Sequence, residues 1–217
     1  MYKILLTSLI ICPSFLFAQK TKMIKSESGK EKYEVLASDM KTKHGRFLIY
    51  GGGKDIAVKG FYNHNLKDSV WTIYNYKGEI EAELGFSNDT LVAFKRGAGK
   101  EDLHAKAILE EGEVDSVLTR PPYFLYGERY LLTHLMENIR YPEKAKDNGK
   151  MGTVFVCIII DKTGNATDFK VINPIGYGLD DEAIRVLKIL PNLWIPATNK
   201  KSNVAAEVHI PIRFVLR

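Results

Sequence analysis

The sequence predicts an α+β protein in two parts: a small all-β N-terminal domain, then a C-terminal domain of helix, two strands, helix and last strand. Three observations predict it. A pattern of aromatic and glycine residues recurs every 24–25 residues between 44 and 86. Thr153–Ile160 is nearly continuous apolar, β-branched sequence followed by turn chemistry. The final segment alternates apolar and polar residues from Ala206 to Phe214.

The N-terminus comes first. Lys3 is a lone positive charge, Ile4–Phe17 is mostly apolar, and Phe17-Ala18-Gln19 offers a small residue for cleavage. Residues 1–18 therefore read as a secretory signal peptide. An uncleaved anchor is the competing reading, but a helix over Ile4–Ala18 would span roughly 22 Å at 1.5 Å per residue, against a hydrocarbon core of about 30 Å. Lipid attachment at Cys12 is disfavoured by Ile11 before it and Pro13 after it. The expected location is the periplasm, or the inner membrane if the segment stays uncut. Cleavage removes Lys3 and takes the net charge from +5 to +4. So modest and dispersed an excess identifies no anionic partner, and an exported chain is not expected to meet nucleic acid. Cys157 is left as a single thiol in apolar sequence, so no intramolecular disulfide is expected and packing must supply the stability.

Residues 20–96 hold the repeat. His44-Gly45-Arg46-Phe47-x-x-Tyr50 is followed by Asp68-Ser69-Val70-Trp71-x-x-Tyr74, and Gly60-Phe61 by Gly85-Phe86. Fixed-period self-similarity marks stacked supersecondary units, here β-hairpins with Phe47, Tyr50, Trp71 and Tyr74 expected in the core between them. The pattern resembles the MORN-like repeats of bacterial envelope proteins, which implies a β-meander offering a contact surface. No proline occurs between Lys20 and Arg120, and then Pro121-Pro122 stand together. Residues 97–120 are read as a charged linker carrying one strand or short helix over Leu103–Glu110, and 121–217 as the second domain.

In that domain a helix is expected near Glu128–Ile139, with Tyr130, Leu131, Leu135, Asn138 and Ile139 on one face. Tyr141-Pro142 interrupts it, Pro142 starts a short turn to Asn148, and Gly149 stops that turn. Thr153–Ile160 reads as a buried strand that includes Phe155. Asp161-Lys162-Thr163-Gly164-Asn165 is a hairpin turn, and Ala166–Ile172 is the returning strand. Leu179-Asp180-Asp181-Glu182 opens a helix, with acidic side chains at the positive end of its dipole. Ala183, Val186, Leu187 and Leu190 form its buried stripe. Trp194-Ile195-Pro196 is expected to bridge into a polar loop, Thr198–Asn203. The last strand then places Ala206, Val208, Ile210, Ile212 and Phe214 on one face. Pro211 has no N–H for a ladder and belongs on an edge or a bulge, so the last strand is expected to leave one edge open.

The order of these motifs from Pro122 to Leu216 resembles the TonB C-terminal domain in the form common among Bacteroidota envelope proteins. The matching residues are the helix from Gly127 to Ile139, Tyr141-Pro142-x-x-Ala145, Gly152-Thr153-Val154, Asp161-Lys162-x-Gly164, Gly178-Leu179-Asp180-x-Glu182-Ala183, Trp194-x-Pro196 and Pro211-Ile212-x-Phe214. The resemblance implies a ββαβ domain, a three-stranded antiparallel sheet with a preceding helix. It also implies that this domain binds the TonB box, a short extended segment of an outer-membrane receptor, by addition to the last strand. Carried over residue by residue, the expected partner-binding positions are Ile139, Arg140, Tyr141 and Pro142, and Val204, Ala205, Ala206, Glu207, Val208, His209 and Ile210. Tyr141 and Pro142 are equally explained by helix termination and packing.

The chain departs from a full energy transducer in two features. Its N-terminus reads as cleaved, and the proline-rich spacer that stiffens such proteins has no counterpart between Gln19 and Pro121. The expected role is support of TonB-dependent transmembrane transport. The alternative is an envelope scaffold that uses the same fold for another protein, or for homodimerisation through the last strand.

The residue patterns point away from catalysis. None of the five histidines has the H-E-x-x-H spacing, and His134 with Glu137 is one ligand pair without a third. Cys157 reads as an inert buried thiol, and no G-x-S-x-G elbow is present. Gly51-Gly52-Gly53-Lys54 lacks the spacing of a phosphate loop. Neither a cofactor nor a metal is expected.

Overall fold

The computed structural model describes residues 19–26, 30–51, 54–97, 105–108, 118–200 and 202–216. The expected signal peptide, residues 1–18, lies outside them. No helix among the described residues is long and apolar enough to cross a membrane.

The N-terminal half is a seven-stranded antiparallel meander in which each strand pairs with the next. The strands are β1 (Thr21–Lys25), β2 (Glu31–Leu36), β3 (Lys43–Tyr50), β4 (Ile56–Asn63), β5 (Leu66–Tyr74), β6 (Ile80–Ser87) and β7 (Thr90–Arg96). The sequence repeat is visible in its turns. His64 and Asn65 close β4 onto β5 with φ of 50° and 68°, and Asn88 and Asp89 close β6 onto β7 with 48° and 65°. Positive φ at both central residues gives a turn whose twist suits a hairpin. Asn65 N–H donates to the Lys43 carbonyl and its side-chain oxygen accepts from Lys43 N–H, both at 2.8 Å. One period later, Asp89 makes the same two contacts with Lys67, at 2.8 and 3.2 Å.

Phe47 and Trp71 are fully buried with ring centroids 5.1 Å apart. Tyr50 and Tyr74 do not join them. A strand has a side-chain period of two, so aromatics three apart fall on opposite faces. Tyr50 and Tyr74 are only half-buried, under the ammonium groups of Lys32 (4.8 Å) and Lys59 (5.8 Å).

The C-terminal half contains β8 (Ala105–Ile108), β9 (Tyr123–Phe124), α1 (Gly127–Asn138), α2 (Glu143–Asp147), β10 (Gly152–Ile160), β11 (Ala166–Val171), α3 (Leu179–Lys188), β12 (Trp194–Ile195), β13 (Ala197–Asn199) and β14 (Ser202–Phe214). β8 resolves the two readings of Leu103–Glu110 in favour of a strand. The expected three-stranded sheet of β10, β11 and β14 is present but enlarged. β13 and β8 both add to β14, making five strands. β13 is part of what was expected to be a loop: Asn199 pairs with Ser202 and Ala197 with Val204, so the polar segment folds as a hairpin. Trp194-Ile195 is paired as well, against Phe124 and Tyr123.

α3 buries Leu179, Ala183, Val186 and Leu187 against the sheet. Asp180 holds the approach to this helix, accepting from the N–H groups of Ile175 (2.9 Å) and Gly176 (2.7 Å). Phe155 departs from expectation. It lies on the sheet face away from α3 and is 41% exposed. Alternation puts Val154, Val156, Ile158 and Ile160 inside instead.

The two halves share one apolar cluster, running from Phe47 and Trp71 through Tyr123–Tyr126 and Leu131 to Val156 and Phe214. At the seam Tyr126 stacks on Phe47 at 6.0 Å. Glu81 accepts from Tyr123 Oη–H and from Glu128 N–H, both at 3.0 Å. The buried Arg129 donates to the carbonyls of Gly51 (3.2 Å) and Asn75 (3.4 Å).

Candidate functional site

β14 holds the seven candidate positions of the last strand, and its geometry follows from its pattern. Ala206, Val208, Ile210, Ile212 and Phe214 are buried, while Ala205, Glu207 and His209 are half-buried and Pro211 and Arg213 are exposed. β10 pairs with it continuously from Gly152 opposite Phe214 to Ile160 opposite Ala206.

The direction of each backbone group can be worked out from β10. Phe155 N–H donates to Asn173 Oδ1 (2.7 Å), and its carbonyl accepts from Ile172 N–H (2.9 Å). Phe155 therefore spends both groups on the side away from β14. Its partner Pro211 must likewise face away from β10, because opposed residues of an antiparallel pair either exchange both bonds or neither. With no register shift along this pair, Ala205, Glu207 and His209 point outward too, and Ala206, Val208 and Ile210 point to β10. The missing donor of Pro211 thus falls on the outer side of the strand, where it interrupts no bond to β10.

That outer side is not open along the whole candidate stretch. β8 covers it antiparallel, with Ala205 opposite Ile108, Ala206 opposite Ala107, Glu207 opposite Lys106 and Val208 opposite Ala105. Ser202–Val204 pair with β13 on the opposite side, the one β10 takes further along. Thr198 turns its main chain to Arg120, so Ala197 and Asn199 bond to Val204 and Ser202, which share the alternation of Ala206. The expectation of a free edge is corrected for Ala205–Val208, and the same occupancy by β8 stands in the way of pairing with a second copy there. His209–Phe214 have no strand partner on the outer side among the described residues. Proline patterning could reveal that an edge existed, but which distant segment fills it is a non-local fact. The only sequence signal of β8 was a short apolar run inside a charged connector.

The other four candidate positions form a separate feature. Ile139 caps α1 in an extended conformation, its N–H donating to Leu135 (2.9 Å). Arg140 N–H donates to Glu182 Oε1 at 2.6 Å. Glu182 is also held by two bonds from Arg185, both 2.7 Å, and Arg185 donates to the Asn138 carbonyl at 2.7 Å. Burial alone would raise the Glu182 carboxyl, but the bonds from Arg185 and Arg140 N–H outweigh it and hold the group below its ordinary range. Tyr141 Oη–H donates to the Lys150 carbonyl (2.5 Å), and its ring packs edge-on against Phe214 at 5.8 Å. Pro142 starts α2. The structure thus ties Ile139–Pro142 to α3 and to the Phe214 end of β14, rather than to Val204–Ile210.

On the outer face of the sheet, Cys157 sits opposite His209. Cys157, His209 and Glu207 bring potential ligand atoms within 4.8 Å of one another, with His209 Nε2 3.9 Å from a Glu207 oxygen. Cys157 is half-buried, not fully buried. Its thiol is pushed up by burial and by the Glu207 charge, so a metal binding here would first have to displace a proton.

The family model described as Gram-negative bacterial TonB protein C-terminal matches residues 137–216, from the end of α1 through β14. The match supports a TonB C-terminal domain. It covers both groups of candidate positions and leaves the meander and β8 outside. Neither the curated proteins nor the solved structures yielded a match to the chain.

Proposed function

We propose that the TonB-like domain is a periplasmic protein-binding module. It takes up the TonB box of an outer-membrane receptor by strand addition to β14, in support of TonB-dependent transport. One observation carries the reading most directly: the outer side of β14 already accepts an added antiparallel strand, β8, through main-chain pairing. An edge that holds one added strand has the twist and spacing to hold another. His209 extends the same row of outward groups beyond β8, and Pro211, which has no N–H, interrupts the donors between His209 and Arg213. The module acts by binding and not by catalysis. The leader at residues 1–18 directs it to the periplasm.

The test is calorimetric titration of the full chain with a TonB-box peptide, repeated on His209→Pro. A proline there removes one outward donor and none that serves β10. One backbone hydrogen bond contributes about 1 kcal/mol, so affinity should fall about five- to tenfold with the fold intact. Equal binding by both chains would exclude the β14 edge.

A second reading is favoured by the same pairing. If β8 never leaves, the protein is an envelope scaffold that keeps its edge sealed and presents other surfaces. A full chain that shows no peptide binding while Ala205 and Glu207 stay protected would select it.

A further inference from the structure

We infer that β8 is a resident strand that the chain keeps in its own acceptor edge. Partner binding there is an exchange of one strand for another, and the edge selects segments with a small residue opposite Ala206. This rests on the strand-addition reading and adds its regulation and its specificity.

The argument starts from what β8 covers. The four residues of β8 lie on Ala205–Val208, within the seven β14 positions to which the family resemblance assigns partner contact. By the alternation worked out above, Ala205 and Glu207 turn their N–H and C=O groups toward β8, and these are the groups an incoming strand needs. Two strands cannot use them at once. β8 belongs to the connector between the meander and the TonB-like domain, so its local concentration at the edge is set by the tether and no separate protein is required. An unpaired edge invites pairing with any exposed strand, and a tethered occupant removes that hazard until a better segment arrives.

The selectivity follows from one pair. Ala107 and Ala206 face each other and are 2% and 0% exposed. They form a non-hydrogen-bonded pair, the type in which opposed side chains come closest. A large side chain at the Ala107 position has no room without moving Ala206 off the sheet core. The admitted segment is therefore extended, with a small residue at that position.

The test uses the full chain and a synthetic peptide copying Leu103–Glu110. Lys106→Pro removes a donor that faces β14 and should free the edge. Ala107→Glu, which places a charge at a buried site, serves as a second uncapping variant. The first readout is amide exchange. In the unaltered chain Ala205 and Glu207 are protected; in either variant they exchange at least about tenfold faster, while Ala206 and Val208, bonded to β10, do not change. The second readout is peptide binding. The copy binds the variants and not the unaltered chain, and a copy carrying Ala107→Phe binds them at least about tenfold more weakly.

Fast exchange at Ala205 and Glu207 in the unaltered chain would overturn the resident strand while leaving strand addition itself standing. Equal peptide binding by capped and uncapped chains would overturn the exchange, and indifference to Ala107→Phe would overturn the selectivity. A dimer of the unaltered chain that falls apart with Lys106→Pro would show β8 crossing between copies and overturn the intramolecular assignment. Failure of a TonB-box peptide to bind the uncapped variants, when the copy does bind them, would sink the receptor reading alone.

Discussion

The seam between the meander and the TonB-like domain can be probed at one atom. Gly127 opens α1 with a φ of +79°, and a methyl group added to it would lie 2.4 Å from Ile73 Cγ2 and 3.1 Å from a Glu81 carboxylate oxygen. Gly127→Ala therefore carries two costs. The left-handed conformation costs an L-residue roughly 1–2 kcal/mol. Forcing extra volume into the packed seam costs about 1–3 kcal/mol more, because Ile73 is fully buried and cannot swing into solvent. Gly149→Ala is the matched control: φ is +58° with nothing within 4 Å of the added methyl, so only the backbone cost applies. For a chain of this size each kcal/mol moves the melting temperature by roughly 2–4 °C. Gly127→Ala should then lower Tm by about 4–20 °C and Gly149→Ala by roughly 2–8 °C. Scanning calorimetry of the three proteins in one buffer checks this. Because Gly127 lies between Ile73 of the meander and α1, the Gly127→Ala scan should shift as a single transition. Equal shifts for the two variants would refute the packing argument, and a split scan in which only one half moves would refute the shared core.

Two further predictions concern the TonB-like domain. Phe214→Ala removes a ring that is 2% exposed and should cost about 3–5 kcal/mol, whereas Phe155→Ala, on the outer face, should cost less than about 1 kcal/mol; denaturant melts of both variants check the face assignment. Glu182→Gln tests the tie between α3 and Arg140. The Glu182 carboxyl is held below its ordinary range in the folded chain, so its contribution is complete at neutral pH and drains away as pH falls through the folded-state value. The variant should be about 1–3 kcal/mol less stable than the parent at neutral pH, with the gap closing in acid; a pH-independent gap would assign the effect to shape instead of charge.

Local periodicity made much of the fold legible. The alternation of Ala206–Phe214, the apolar run before Asp161 and the stripe from Ala183 to Leu187 each encode an element in neighbouring residues, and those elements form as read. The misreadings have physical causes. Spacing in sequence groups Tyr50 and Tyr74 with Phe47 and Trp71, although a strand turns residues three apart to opposite faces. Phe155 sits in an apolar run whose composition hides which face is buried. Thr198–Asn203 is polar enough to read as a loop, yet its main chain completes a hairpin on β14. The candidate site was legible only in part. Pro211 announces an edge, but nothing adjacent in sequence says that Ala105–Ile108, about a hundred residues earlier, will lie along it.

In the proposed function a receptor segment adds to the outer side of β14. The most direct test is amide exchange at His209, whose N–H points outward just beyond β8, measured in the full chain with and without a saturating TonB-box peptide. Strand addition predicts rapid exchange in the free chain and at least about tenfold slower exchange in the complex, with Ile210, bonded to β10, unchanged. A bound peptide that leaves His209 exchanging at its free rate would contradict strand addition on this edge.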